Sequence, residues 1–368
     1  MKTFSCYCGN SLHFENSQCL ACERAVGYLP DEQQLSALEP TDNGQWRALH
    51  NNRIYRQCKN YSEYAVCNWM VPIDQQQTYC ASCQLSHVIP NLTNPQNITL
   101  WYRLELAKRR LLYTLYNLRL PVVGRTQDPH KGLGFEFLED QPVTGEFGNE
   151  LSVKNWVMSG HNAGIITINV LEADHGPREE MREKMKERYR TLLGHFRHES
   201  GHYYWERLIN GTSHIDSFRE IFGDERRDYQ HALQVYYDQG PPSFWQDICI
   251  SAYGTSHPWE DWAETWTHYL HMVDTLETAH DFGFSIAGHY VSPPQPDMQM
   301  AHGYIRPTTF DELFDDWGRL TVALNALNRS MGMEDAYPFV VSGLLTLQKL
   351  QYVHDIISEA GSPAATPH

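Results

Sequence analysis

Apolar and polar residues are patterned in two different ways along this chain, and the change falls near residue 100. Before about residue 95 the apolar positions come in short runs among Asn, Gln, Ser and Cys, with little helical period. That pattern predicts short strands and turns. From Trp101 onward Leu104, Ala107, Leu111, Leu115 and Leu118 recur at helical spacing, with Lys108, Arg109 and Arg110 between them, and Pro121 stops the run. Residues 124–150 read as Gly- and Asp-rich loop carrying a short strand at Gly134–Leu138, and residues 164–170 alternate as a strand does. A polar helix is expected over 177–188, and further helices over 217–237, 259–280, 310–327 and 338–359. Gly and Pro at 240–242 and Pro at 293–296 mark loops, and the tail after Gly361 is expected to fray. The pattern divides the 368 residues into a small region, 1–95, and a larger, mainly helical domain, 96–368, in an α+β chain.

Eight of the nine cysteines fall in the first 83 residues. The first residues, Met1 to Cys6, contain no apolar leader segment, and no stretch approaches 18 uninterrupted apolar residues. The expected setting is therefore cytoplasmic, with no membrane span. There, clustered cysteines are more often metal ligands than disulfides. Cys6, Cys8, Cys19 and Cys22 make one set of four, and Cys58, Cys67, Cys80 and Cys83 a second. Each set suits one tetrahedral zinc, because the C-x-x-C pairs form knuckle turns that aim two sulfurs at one ion. The C-x-C and C-x8-C spacings are less usual and leave crossed pairing between the sets open. A region with so few large apolar residues needs such a metal in place of a core. Cys249, alone between Ile248 and Ile250, reads as a buried small hydrophobe. The net charge of −16 argues against a nucleic-acid binder, which zinc-ribbon cysteines would otherwise suggest.

The strongest chemical signal is His198-Glu199-Ser200-Gly201-His202 in a Pro-free, aromatic-rich helical segment. Histidines four apart share a helix face, so both imidazoles can reach one zinc. Zinc lowers the pKa of a bound water, and Glu199 beside it would take the proton and pass it to a leaving amine. HExxH arises by chance in roughly one such chain in fifteen, so its surroundings carry weight. The strand at 164–170 precedes the helix, as the edge strand of a zincin does. For a third ligand, Pro258 marks a helix start, and Glu260 and Glu264 stack one turn apart behind it. Glu225, 23 residues past His202, stands near the interval used by thermolysin-like enzymes and is an alternative. His195, His268 and His271 read as hydrogen-bonded helpers or structural histidines; His268 lies roughly 12 Å along the helix from Glu260.

Tyr253-Gly254 ahead of Glu260-Asp261-Trp262-Ala263-Glu264 resembles the glutamate-type zincins related to the anthrax lethal factor protease, with Trp262 in place of Phe. The resemblance implies Glu260 as zinc ligand, Glu264 as support for a ligand histidine, and Tyr253 as oxyanion donor. Nearly the whole chain is similar to a bacterial family of zinc-ribbon, zinc-binding metallopeptidases. The order of motifs carries this likeness: cysteine-rich ribbons, Gly-Ile-Ile-Thr-Ile-Asn, His-Phe-Arg-His-Glu-Ser-Gly-His-Tyr-Tyr-Trp, then His-Pro-Trp-Glu-Asp-Trp-Ala-Glu-Thr-Trp. It implies a rubredoxin-like zinc-ribbon region ahead of a zincin domain, with two structural zinc ions and one catalytic. The activity implied is hydrolysis of a peptide or protein substrate, and the ribbons are a candidate surface for a protein partner. The competing expectation is a catalytically silent or partner-activated interaction protein built on the same frame.

Overall fold

The computed structural model describes residues 1–144, 150–174, 176, 191–286, 288–292, 294, 309–339, 341 and 343–362. The helix expected over 177–188, prolines Pro293 and Pro296, and the tail from residue 363 lie outside the described residues. Two compact units share the chain: residues 2–113 with 123–181, and Met1 with 114–122 and 182–368.

The first unit is sheet-rich. Strands β1 (Phe4–Ser5) and β2 (Ser11–Leu12) pair as an antiparallel hairpin. Strands β3 (Val26–Leu29), β4 (Gln34–Pro40), β5 (Trp46–Ala48), β6 (Ile54–Gln57) and β7 (Met70–Pro72) follow one another in a sheet whose order matches the sequence. Leu29, Leu38, Ala48, Tyr55 and Met70 close its small core. A Cβ at Gly27 would stand 2.6 Å from the Met70 Cγ and Sδ, so a side chain there would force Met70 to shift. Phe14, Tyr28, Trp69 and Tyr113 add an edge-on aromatic cluster, with Tyr28 and Trp69 ring centres 4.8 Å apart.

A second sheet runs in the order β12 (Gly160–Asn162), β13 (Ile165–Asn169), β9 (Gly134–Leu138), β8 (Ser86–Val88), with β9 parallel to both its neighbours. Between β9 and β12, the strands β10 (Gln141–Thr144) and β11 (Glu150–Asn155) form a separate antiparallel pair. The segment read as an edge strand, 164–170, is an inner strand. Ala163 and Gly164, at φ 46° and 90°, make a tight two-residue turn that folds 160–162 back onto it and takes the edge position. Gly164 also lies where a Cβ would meet the Gly132 carbonyl oxygen at 2.4 Å, so a side chain is excluded on two counts.

Helix α1 (Gln96–Asn117) buries Trp101, Leu104, Leu111 and Leu115, the stripe its period implied. The second unit is helical: α2 (Leu192–Leu208), α3 (Ile215–Phe222), α4 (Tyr229–Gln239), α5 (Pro258–Asp281), α6 (Phe310–Ser330) and α7 (Leu344–Ala360). The single helix expected over 217–237 is two, because Gly223 leaves helical geometry at φ 101° and Asp228 then caps a new start through the His231 amide. Pro258 opens α5 as expected, and the His257 side chain accepts the Trp259 N–H. Among the described residues no helix is long and apolar enough to cross a membrane.

Helices α2 and α5 cross at glycine. A Cβ on Gly201 would lie 2.9 Å from the Ala263 Cα, so only the missing side chain lets the two backbones approach so closely. Two indoles fasten the crossing: Trp262 Nε1 donates to the Gly201 carbonyl at 2.9 Å and Trp266 Nε1 to the Ser200 hydroxyl at 3.1 Å. Tyr204 stacks on Trp266 with ring centres 4.9 Å apart. Trp262 and Trp266 are fully buried, each worth about 2–3 kcal/mol of apolar burial. The chain thus combines a sheet-rich region bearing the cysteine clusters with a helical domain, as its patterning implied.

Candidate metal centres and active site

In the first unit the sulfurs of Cys6, Cys8, Cys19 and Cys22 lie within 4.8 Å of one another, as do those of Cys58, Cys67, Cys80 and Cys83. No crossing of the two sets occurs. Four zinc–sulfur bonds of about 2.3 Å at tetrahedral angles put sulfurs about 3.8 Å apart. The Cys6–Cys22, Cys8–Cys19 and Cys67–Cys80 pairs stand at 3.7 Å. Backbone amides aim at the second set: Trp69 N–H donates to Cys67 Sγ (3.3 Å), Cys80 N–H to Cys58 Sγ (3.4 Å) and Cys83 N–H to Cys80 Sγ (3.5 Å). The second set is wholly buried, whereas Cys8 in the first is exposed.

In the second unit, helix α2 starts where Thr191 accepts the Gly194 N–H at 2.9 Å, which sets the register of the turn carrying His198 and His202. Helix α5 brings Glu260 and Glu264 against that turn. Glu260 Oε2 is 3.0 Å from His198 Nε2 and 3.6 Å from His202 Nε2. Bonds of about 2.0–2.1 Å to a tetrahedral zinc would separate these donors by about 3.3 Å, between the two observed distances. Glu264 Oε1 accepts from the other nitrogen of His198, Nδ1, at 2.8 Å, which fixes Nε2 as the nitrogen left for an ion. Tyr229, at the start of α4, donates to Glu260 Oε1 at 2.7 Å. Glu260 therefore has one oxygen on a phenol and the other on the imidazoles. Tyr253, on a single turn ahead of α5, has its ring centre 6.0 Å from that of His198.

Glu199 accepts from His195 Nε2 at 3.1 Å through Oε1, while its buried Oε2 has no hydrogen-bond partner among the described residues. A buried carboxylate oxygen without a donor is costly unless a proton, water or cation completes it. Burial opposes charge on Glu199, yet the His195 hydrogen bond and the imidazoles of His195, His198 and His202 hold its carboxyl down to about 2. Burial likewise opposes charge on Glu260, and His202 and His198 hold its carboxyl well below the usual range. Burial would strip the proton from His198, but Glu260 and Glu264 keep it there, well above the ordinary histidine value. Three carboxylates and three imidazoles are thus packed together, each charged form held by its neighbours. Two imidazole nitrogens and one carboxylate oxygen suit zinc.

The other sequence candidates are placed elsewhere. Glu225 forms a two-point pair with Arg219, at 2.6 and 3.0 Å, and does not join the donor set. His268 Nδ1 shares a hydrogen bond of 2.7 Å with the Tyr337 hydroxyl, and His271 bonds to Arg197, whose guanidinium also pairs with Asp274. Cys249 is buried beside Lys349, which ties α7 to Asp261 at 2.5 Å. Sequence reasoning missed Tyr229 and the Lys349–Asp261 pair. Neither has a local signal, since each joins residues distant in sequence. Gly201 could have been noticed as a glycine inside a helix, where packing is the usual reason.

Residues 97–356 match a family described as "Putative zinc-binding metallo-peptidase", and residues 3–94 match a zinc-ribbon domain. The chain belongs to that metallo-peptidase family. Uncharacterized proteins of Mycobacterium bovis and Mycobacterium tuberculosis are each 40% identical to it over 370 residues, covering 100% of this chain and 98% of theirs. No solved structure matches the chain. Family membership makes zinc the metal expected of these donor sets and peptide hydrolysis the activity expected of the fold.

Proposed function

We propose that the protein is a zinc-dependent peptidase whose catalytic metal is held by His198, His202 and Glu260 and whose general base is Glu199. The observation that carries this reading is the donor set on two crossing helices, 3.0 and 3.6 Å from one shared carboxylate oxygen. Bound zinc supplies Lewis acidity, making water a usable nucleophile near neutral pH and polarising a peptide carbonyl. The remaining chemistry belongs to side chains. Glu199, buried and with Oε2 unpartnered among the described residues, would accept the proton of the attacking water through Oε2 and deliver it to the leaving amine. Glu264 holds the His198 ring and its tautomer, and Tyr253 offers a hydroxyl to the developing oxyanion. The two four-cysteine sets would hold structural zinc that supplements the small core of this short-stranded region.

The test compares wild type, Glu199→Gln and Glu260→Ala on a peptide library, with zinc measured on each protein. Glu199→Gln is expected to keep its zinc and cut nothing, because an amide cannot take the water's proton. Glu260→Ala is expected to lose the metal of this site alone. Tyr253→Phe should keep zinc and slow turnover by up to about 10²–10³-fold, the usual cost of one oxyanion donor. Cleavage by Glu199→Gln at the wild-type rate would remove Glu199 from the mechanism. Full zinc in Glu260→Ala would remove Glu260 from the metal.

A further inference from the structure

The loop between α3 and α4 carries the residue that joins the site without having been suspected from sequence. Gly223 breaks the helix at φ 101°, and the next four residues turn before Asp228 caps α4. The loop is pinned at two points. Buried Glu225 receives both the Nε and an Nη of Arg219 on α3, and the Arg227 carbonyl accepts from His257 Nε2 at 3.2 Å. His257 is itself the N-cap of α5. Tyr229 follows at once. Its ring meets His257 edge-on at 5.2 Å and leans on Trp259 at 5.9 Å, so the ring is held on two sides by the start of the very helix that bears Glu260. Its hydroxyl then ends 2.7 Å from Glu260 Oε1.

Glu260 is buried, with its side chain 1% exposed, and both of its oxygens are engaged: Oε1 by Tyr229 and Oε2 by the imidazoles. A carboxylate free to rotate could turn either oxygen, or both, toward an ion. One fixed by a neutral donor on Oε1 presents Oε2 alone. We infer that Tyr229 is a positioning residue that holds the Glu260 carboxylate as a one-oxygen metal ligand, and that the Arg219–Glu225 pair serves to deliver it. The buried Glu225 thereby has a role in the site without touching the ion. This rests on the peptidase reading only in so far as Glu260 binds metal; it makes no use of Glu199 or of turnover.

The experiment uses the full chain and reads the metal directly. Zinc transfer to a competing chelator, and the visible absorption of the cobalt-substituted site, are measured for wild type, Tyr229→Phe, Tyr253→Phe and Glu260→Ala. Removing the hydroxyl is expected to weaken the affinity of one zinc by about 10- to 100-fold, as losses of ligand-supporting hydrogen bonds do, and to change the cobalt band as the carboxylate reorients. The cysteine-bound zinc should be unaffected, and Tyr253→Phe should keep wild-type affinity. A Tyr229→Phe protein with wild-type affinity and an unchanged cobalt band, beside a Glu260→Ala protein that has lost the metal, overturns the inference and leaves the peptidase reading standing. Metal fully retained in Glu260→Ala overturns both. Should Tyr229→Phe not fold, Arg219→Met, partly exposed and remote from the donors, decides: several-fold weaker zinc supports the delivery role, and unchanged affinity overturns it.

Discussion

Replacing Gly201 with alanine adds one methyl group at the crossing of α2 and α5, between the helix that carries His198 and His202 and the helix that carries Glu260. The new carbon would stand 2.9 Å from the Ala263 Cα and 3.3 Å from both the Ala263 and Trp266 Cβ atoms. Comfortable carbon contacts are about 3.5–4.0 Å, so the helices must separate by about 0.6–1 Å. The nearest atom is backbone, which cannot swing aside as a side-chain tip could. Overpacking of this kind costs about 1–3 kcal/mol, while alanine in a helix interior recovers up to about 1 kcal/mol over glycine. The net expectation is a loss of about 1–2 kcal/mol. The site suffers more than the fold, since Glu260 Oε2 sits 3.0 and 3.6 Å from two imidazoles across that gap. Metal sites tolerate only about 0.2 Å in their bond lengths. Urea denaturation of the metal-stripped proteins gives the stability difference, and zinc competition with a chelator gives the affinity. Zinc affinity should fall by more than tenfold. A Gly201→Ala protein at least as stable as wild type, with unchanged zinc affinity, would refute the argument that this glycine sets the helix spacing.

Elemental analysis of protein purified without added metal should find three zinc ions per chain, and a chelator should take one of them well before the other two; a value of one would remove the cysteine sets as zinc sites. Lys349→Met leaves the buried Asp261 carboxylate without its cation and should cost about 3–5 kcal/mol at neutral pH, read by denaturant unfolding. Burial pushes the Asp261 carboxyl up to about 6 even against the pull of Lys349, so at pH 5 the wild-type acid is itself mostly protonated, the pair contributes little and the cost should shrink; a cost that does not change with pH contradicts this. Burial lowers His268 to about 4, so between pH 6.5 and 4 the unfolded chain takes up a proton that the folded chain refuses. The stability tied to this neutral histidine is complete above pH 6.5 and lost on acidification, by up to about 3 kcal/mol. His268→Gln should flatten that part of the wild-type pH profile, and parallel profiles for the two proteins would argue against it.

What could be read in advance was whatever depends on neighbours along the chain. His198 and His202 share a face because helical geometry fixes the direction of residues four apart, and Glu260 with Glu264 follows from the same rule behind a proline start. The knuckle spacing of the cysteines is equally local, and the structure gathers them in the two sets that spacing proposed. What could not be read depends on approach between distant segments. The choice between Glu260 and Glu225 rested on resemblance, whereas the structure separates them by partners: Arg219 for Glu225, imidazoles for Glu260. The inner position of β13 needed the turn at Ala163 and Gly164, where a non-glycine residue adopts positive φ that composition does not announce. Tyr229 had no periodic partner to betray it. The helix expected across 217–237 hid it, because a continuous helix would carry residue 229 onward along the axis of α3. Gly223 changes that by ending α3 and letting the chain turn back toward α5. The same glycine that broke the secondary-structure expectation is therefore what allows a hydroxyl to reach Glu260, and a substitution at Gly223 is expected to act on the metal site through Tyr229.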